Sequence, residues 1–153
     1  MTYELWDFVR ESNRIENIYR EPTECEFKAH QTFLKLQEVT VQDMKTFVTL
    51  IQPDAVICDK SHLNVRIGNH VPIQGGSEVV VDLMNILHNV NSHAEEPYFN
   101  HHDYETLHPF TDGNGRSGRV LWLWQMTRGG RDIPKLGFLH TWYYQTLQFG
   151  GKR

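Results

Sequence analysis

The sequence predicts a mostly α domain, a helical bundle that carries one β-hairpin. Apolar residues recur at helical spacing in successive stretches along the chain. A single short stretch alternates apolar and polar residues and doubles back at a Gly-Asn pair, the signal of a tight hairpin. No strand–helix alternation of the kind that builds a parallel sheet is present.

The first helix is expected over about residues 3–20, with Leu5, Trp6, Phe8, Val9, Ser12, Ile15, Ile18 and Tyr19 at helical spacing and Pro22 closing it. A second is expected over Thr23–Gln37, turning Phe27, Phe33, Leu34 and Leu36 inward. Thr40 or a neighbour caps a third that carries Met44, Phe47, Val48 and Ile51 and ends before Pro53. The hairpin runs out through Leu63–Ile67, turns at Gly68-Asn69 and returns through Val71-Pro72-Ile73. Pro72 offers no backbone N–H, which suits an edge strand. Ser77 and Glu78 mark the start of a buried helix over Val79–Val90. Pro97 opens another that ends near Leu107. A polar, glycine-rich loop follows, then a helix from about Asn114 to Met126. Gly129-Gly130 interrupts the chain, and a last helix is expected over Phe138–Gln148. Trp6, Trp122, Trp124 and Trp142 fall at helical positions and read as core. There is no repeat, linker or low-complexity tract, so residues 1–153 are expected to form a single domain.

Composition bounds the function. The chain has 153 residues, 39% of them hydrophobic, with 15 basic and 19 acidic side chains and a net charge of −4. One domain of this length buries roughly two-thirds of its unfolded surface and needs no disulfide or structural metal. No apolar run is long enough to span a membrane, and the acidic start MTYELWDFVRES has no secretory core. A mildly acidic chain is a poor general binder of nucleic acid. Cys25 and Cys58 form no metal or redox spacing, so a reduced, cytoplasmic setting is expected.

The chemistry concentrates in residues 108–119, His-Pro-Phe-Thr-Asp-Gly-Asn-Gly-Arg-Ser-Gly-Arg. Gly113, Asn114 and Gly115 allow a tight turn that points successive N–H groups at one spot. A helix beginning there adds its positive end, which makes an anion cradle. Arg116 and Arg119 lie three apart, on one face of the first helical turn, and guanidinium groups grip phosphates bidentately. Asp112 is a hard oxygen ligand of the kind Mg²⁺ prefers when it also bridges phosphates. His108 supplies a base just upstream, and Phe110 anchors the loop in the core. Such a site calls for a polyphosphate, a magnesium ion and a hydroxyl to deprotonate.

This string resembles the Fic-domain signature His-x-Phe-x-Asp-Gly-Asn-Gly-Arg-x-x-Arg at every specified position. The resemblance extends from about Leu63 onward. The hairpin lies where Fic proteins carry a target-positioning flap, here Arg66, Ile67, Val71 and Ile73. Tyr143 and Tyr144 lie where the adenine side is closed. The resemblance implies AMPylation, the transfer of AMP from ATP to a Ser, Thr or Tyr hydroxyl of a target protein held along the flap. In that reading His108 takes the proton, Asp112 holds Mg²⁺, and Gly113, Asn114 and Gly115 cradle the α-phosphate. Arg116 and Arg119 contact the β- and γ-phosphates, and Tyr144 lies against the base. The last helix ends in Gln148-Phe149-Gly150-Gly151 rather than the family's Asn-Gly-Asp-like adenine contact, so other nucleotide donors stay open.

A second stretch, Ser12-Asn13-Arg14-Ile15-Glu16-Asn17, resembles the family's inhibitory pattern [Ser/Thr]-x-x-x-Glu-[Gly/Asn]. The resemblance implies that Glu16, four residues from Ser12, pairs with Arg119 and blocks the γ-phosphate. Charge permits it: residues 1–26 hold seven acids and three bases, and residues 116–135 hold five bases and one acid. The plain alternative is an amphipathic helix whose Glu16 faces water. Fic proteins often pair, so a homo-oligomer is a further expectation.

Several other readings compete. In some relatives the equivalent Glu helps water remove AMP from a target. Relatives of the Doc toxin type phosphorylate instead, but they carry changes in the loop that this chain lacks. His88, His93, His101 and His102-Asp103 suggest an HD-type metal phosphohydrolase, which leaves the loop glycines and arginines unexplained. A non-catalytic nucleotide-binding interaction module is disfavoured by the full set of His108, Asp112 and both arginines. Gly113-x-Gly115-x-x-Gly118 has dinucleotide-binding spacing but no buried strand before it.

Overall fold

The computed structural model describes residues 2–64, 71–93 and 96–129. They form α1 (Thr2–Ile15), α2 (Glu24–Leu34), α3 (Val41–Ile51), α4 (Ser77–Ser92), α5 (Pro97–Leu107) and α6 (Asn114–Arg128). Thr23 and Thr40 close full capping boxes with Glu26 and Asp43, so α2 and α3 start where local chemistry places them. Pro97 occupies the first turn of α5, where its missing N–H is harmless.

α6 runs through the centre of the bundle. From Asn114 to Gln125 every residue except Gly115 is buried. A helix covered on all sides must find internal partners for its polar side chains, and that requirement shapes the site. Val120, Leu121 and Trp124 join the main core with Phe33, Met44, Phe47, Leu83 and Leu87. Trp122 and Leu123 face a smaller cluster with Leu5, Phe8 and Val9 of α1. Phe8 stacks on Trp122 at a centroid distance of 6.4 Å. α1 is thereby docked alongside α6.

Several boundaries differ from expectation. α1 stops at Ile15 instead of continuing to about 20. Asn17 is left-handed (φ 65), its N–H bonds to Arg14 O at 2.9 Å, and the Ile18 N–H returns to Asn13 O at 3.0 Å. This is a Schellman stop, and asparagine tolerates its left-handed residue better than most side chains. Beyond it, Tyr19 is exposed rather than core. α2 ends at Leu34, short of Gln37, because tertiary bonds claim the backbone that follows. Leu36 O accepts from Trp124 Nε1 and Arg128, and the Asn91 amide bonds both Val39 N and Val39 O at 2.8 Å. α4 buries one face only, since Val81 and Met84 are exposed. It begins at Ser77, as expected, with Gly76 as its N-cap.

The outward strand and turn of the expected hairpin, with Arg66 and Ile67, lie outside the described residues, as do Trp142, Tyr143, Tyr144 and the expected last helix. Among the described residues, Leu63, Asn64 and the return through Val71 and Ile73 form no strand. No described helix is long and apolar enough to cross a membrane.

Candidate active site at the start of the central helix

α5 ends in a bend that carries a histidine. His108 is its C-cap, in the left-handed region at φ 50, ψ 65, with its N–H on Tyr104 O at 3.0 Å. A histidine held there costs about 1 kcal/mol, which the surrounding packing must offset. The ring Nδ1 lies 2.6 Å from Glu105 O. A carbonyl can only accept, so Nδ1 carries the hydrogen and the neutral ring keeps its lone pair on Nε2.

The next residues are held from two sides. Phe110 pairs antiparallel with Ile57, flanked by the Cys58 N–H to Pro109 O at 2.8 Å and the Thr111 N–H to Val56 O at 2.9 Å. In that register the N–H and C=O of Phe110 itself point to the opposite side. Asn114 meets both: its Oδ1 accepts from Phe110 N at 2.9 Å and its Nδ2 donates to Phe110 O at 2.7 Å. The Phe110 ring is buried in the main core. The Asn114 side chain is therefore spent on the loop, and only its backbone N–H is left for an anion.

Gly113 begins α6 at φ 78, ψ 10, and no side chain caps the helix. The Ser117 N–H bonds to Gly113 O at 3.0 Å, so the N–H groups of Asn114, Gly115 and Arg116 precede the helical ladder. They add to the positive end of the helix. Asp112 beside them is exposed, and its Oδ1 accepts from Gly113 N at 2.8 Å. One accessible carboxylate next to an anion cradle fits Mg²⁺, which takes one or two protein carboxylates and draws its other ligands from phosphate and water.

The two arginines diverge. Arg119 is fully buried and turns toward α1: its Nε donates to Ser12 Oγ at 2.7 Å, and its Nη2 to Ser12 O at 3.0 Å and Glu16 Oε2 at 2.6 Å. Glu16, in the turn after α1, also lies against Gly115. A Cβ built at 115 would collide with Glu16 Oε2. An internal carboxylate thus sits against the anion cradle. Arg116 turns toward α3, where Nη2 donates to Gln52 Oε1 at 2.9 Å, with Glu26 at 4.0 Å. Burial lowers the Arg116 pKa, opposed by the carboxylates of Glu16 and Glu26.

Gln52 and Glu26 escaped the sequence reading. Glu26 closes the capping box of α2, and its further partners are set by folding. Its carboxylate accepts from Arg20 at 2.9 and 3.0 Å, from Thr23 N at 2.8 Å and from Asn13 at 3.2 Å. Burial would raise its pKa, but these donors outweigh it and hold the group down at about 2. Gln52 carried no local signal. The histidines offered as metal ligands are dispersed: His101 binds Gly118 O at 3.1 Å, while His93 stacks against Trp124. Among the described residues no three His, Cys, Asp or Glu side chains are grouped to hold a metal ion.

The sequence model of the Fic/DOC family matches residues 10–126, most of the chain and the whole of this site. No curated protein gives a significant match.

Proposed function

The chain belongs to the Fic/DOC family, and on that premise we propose that it transfers AMP from ATP to a Ser, Thr or Tyr hydroxyl of a target protein. His108 Nε2 takes the hydroxyl proton as the oxygen attacks the α-phosphorus. The bond from that phosphorus to the bridging oxygen of the β-phosphate breaks, and pyrophosphate leaves. The N–H groups of Asn114, Gly115 and Arg116 receive the charge that develops on the α-phosphate oxygens. Mg²⁺ held by Asp112 would neutralise charge on the phosphates. Arg116 and Arg119 would bind the leaving phosphates.

The observation that carries this reading is the uncapped start of α6 beside a histidine whose Nδ1 is committed to Glu105 O. It supports a phosphate-directed site with a base of defined tautomer. The same geometry supports self-inhibition. Glu16 takes Arg119 and lies over Gly115, so a triphosphate must displace a carboxylate before its terminal phosphate meets Arg119. A charge-assisted hydrogen bond contributes about 1.5–3 kcal/mol, which sets the release at roughly 10- to 100-fold in rate.

The test uses ATP labelled on the α- or the γ-phosphate, with Mg²⁺, and wild type, Glu16→Gly and Glu16→Gly/His108→Ala. The expected result is α-label on protein, stronger in Glu16→Gly and absent in the double variant. Transfer of γ-label instead would mean phosphorylation. Absence of any label from Glu16→Gly would refute the proposal.

A further inference from the structure

A cavity of about 520 Å³ is bounded by the chain returning from the expected flap, by α4 and by α5. Its floor is apolar, from Pro72, Ile86 and Leu107, all buried. Val71 and Ile73 stand at its edge with 63% and 47% of their surface exposed. Its opposite walls carry Asp82 on α4 and Asp103 on α5, both exposed. Neither aspartate has an ion pair or hydrogen bond among the described residues. Leu107, which lines the cavity, immediately precedes His108 in the chain.

The surrounding sequence makes the field one-sided. Between Arg66 and Arg116 the chain holds seven carboxylates and no lysine or arginine. An apolar floor under an acidic rim matches the shape and polarity of a long basic side chain, whose methylene stem lies on hydrocarbon while its head reaches carboxylate. A fully apolar side chain would leave both aspartates beside buried hydrocarbon. An acidic one would meet like charge.

We propose that this cavity receives a lysine or arginine of the target, and so selects acceptor hydroxyls that have a basic residue close by in sequence. The proposal rests on the transfer activity proposed above and names the substrate class of that site. Leu107 of the cavity is the residue before His108, so the basic residue falls close to the acceptor in the target's sequence.

The test has a binding arm and a transfer arm, both with the full chain carrying Glu16→Gly. Fluorescent nine-residue peptides of alternating valine and threonine carry arginine, alanine or glutamate at the centre. The expected order of binding is arginine over alanine over glutamate. Asp82→Asn/Asp103→Asn should weaken the arginine peptide about tenfold and leave the alanine peptide unchanged. Asp82→Lys/Asp103→Lys should reverse the order in favour of glutamate. In the transfer arm, AMP addition to the same peptides follows the same order, and Asp82→Asn/Asp103→Asn removes the advantage of the arginine peptide. Equal binding of the three peptides, binding of none, or a preference that survives Asp82→Asn/Asp103→Asn overturns the cavity assignment. Loss of all labelling while the arginine preference in binding persists would instead strike at the transferase reading.

Discussion

Replacing Asn114 with alanine should open the 108–113 loop from its hinge. The side chain satisfies both backbone groups of Phe110, at 2.9 and 2.7 Å. Phe110 is 1% exposed, so neither group reaches water when the amide is removed. Each orphaned group costs about 1–3 kcal/mol, which sums to about 2–6 kcal/mol. That is a large share of the stability of an ordinary domain. The fluorescence of the buried Trp122 and Trp124 can follow urea unfolding, and hydrogen exchange can follow the Phe110 amide. We expect a lower midpoint with an unchanged slope, and Phe110 exchange accelerated by at least tenfold beyond what the global loss explains. The proposed AMP transfer should fall at temperatures where the variant is still folded, because the loop carries both His108 and Asp112. A stability loss below 1 kcal/mol with Phe110 still protected would refute the clamp.

The remaining predictions concern pH, the two loop glycines and Arg116. His30 and His101 are buried and neutral: burial lowers their pKa values to about 4 and about 3, partly opposed by hydrogen bonds to Glu26 O and Gly118 O. Unfolded histidine titrates near 6.5, so the unfolded chain binds more protons at low pH. Stability should hold above about pH 7 and fall as pH drops, by about 2 kcal/mol from each histidine at pH 5. Urea midpoints between pH 7.5 and 5 check this, and a flat profile contradicts it. Gly113→Ala places a side chain at φ 78 with only ordinary contacts around it, so we expect a loss of about 1–2 kcal/mol from backbone strain alone. Gly115→Ala should instead push Glu16 off Arg119, since an added Cβ would collide with Glu16 Oε2. A crystal structure of Gly115→Ala with the Glu16–Arg119 pair intact would contradict this. Gln52→Leu strands a buried guanidinium nitrogen of Arg116. It should lower stability by about 1–3 kcal/mol and raise KM for ATP more than it lowers kcat.

Local chemistry was legible at most helix starts, though not at the equally local stop of α1, where Ile18 and Tyr19 extend the apolar spacing past Asn17. The starts near Thr23 and Thr40, the first-turn Pro97 and the glycine turn before α6 are all relations within four residues. Each can be read from composition and spacing because a helix end satisfies its own neighbours first. The end of α2 was not legible, since it depends on Trp124, Arg128 and Asn91, far away in the chain. Nor was the register that leaves Phe110 to be satisfied by Asn114, which follows from pairing with Ile57.

Residues 108–119 alone disclose which groups the site owns: an imidazole, a carboxylate, a glycine turn and two guanidinium groups in twelve residues. What those groups are bonded to is a matter of packing. Arg119 meets Glu16 across 103 positions of the chain because α1 is seated on Trp122 and Leu123. Arg116 meets Gln52 across 64 positions because α6 is buried on all sides. The physical reason is common to both. A buried cation must be met by whatever acceptor the packing brings to it, and packing joins residues without regard to their separation in sequence.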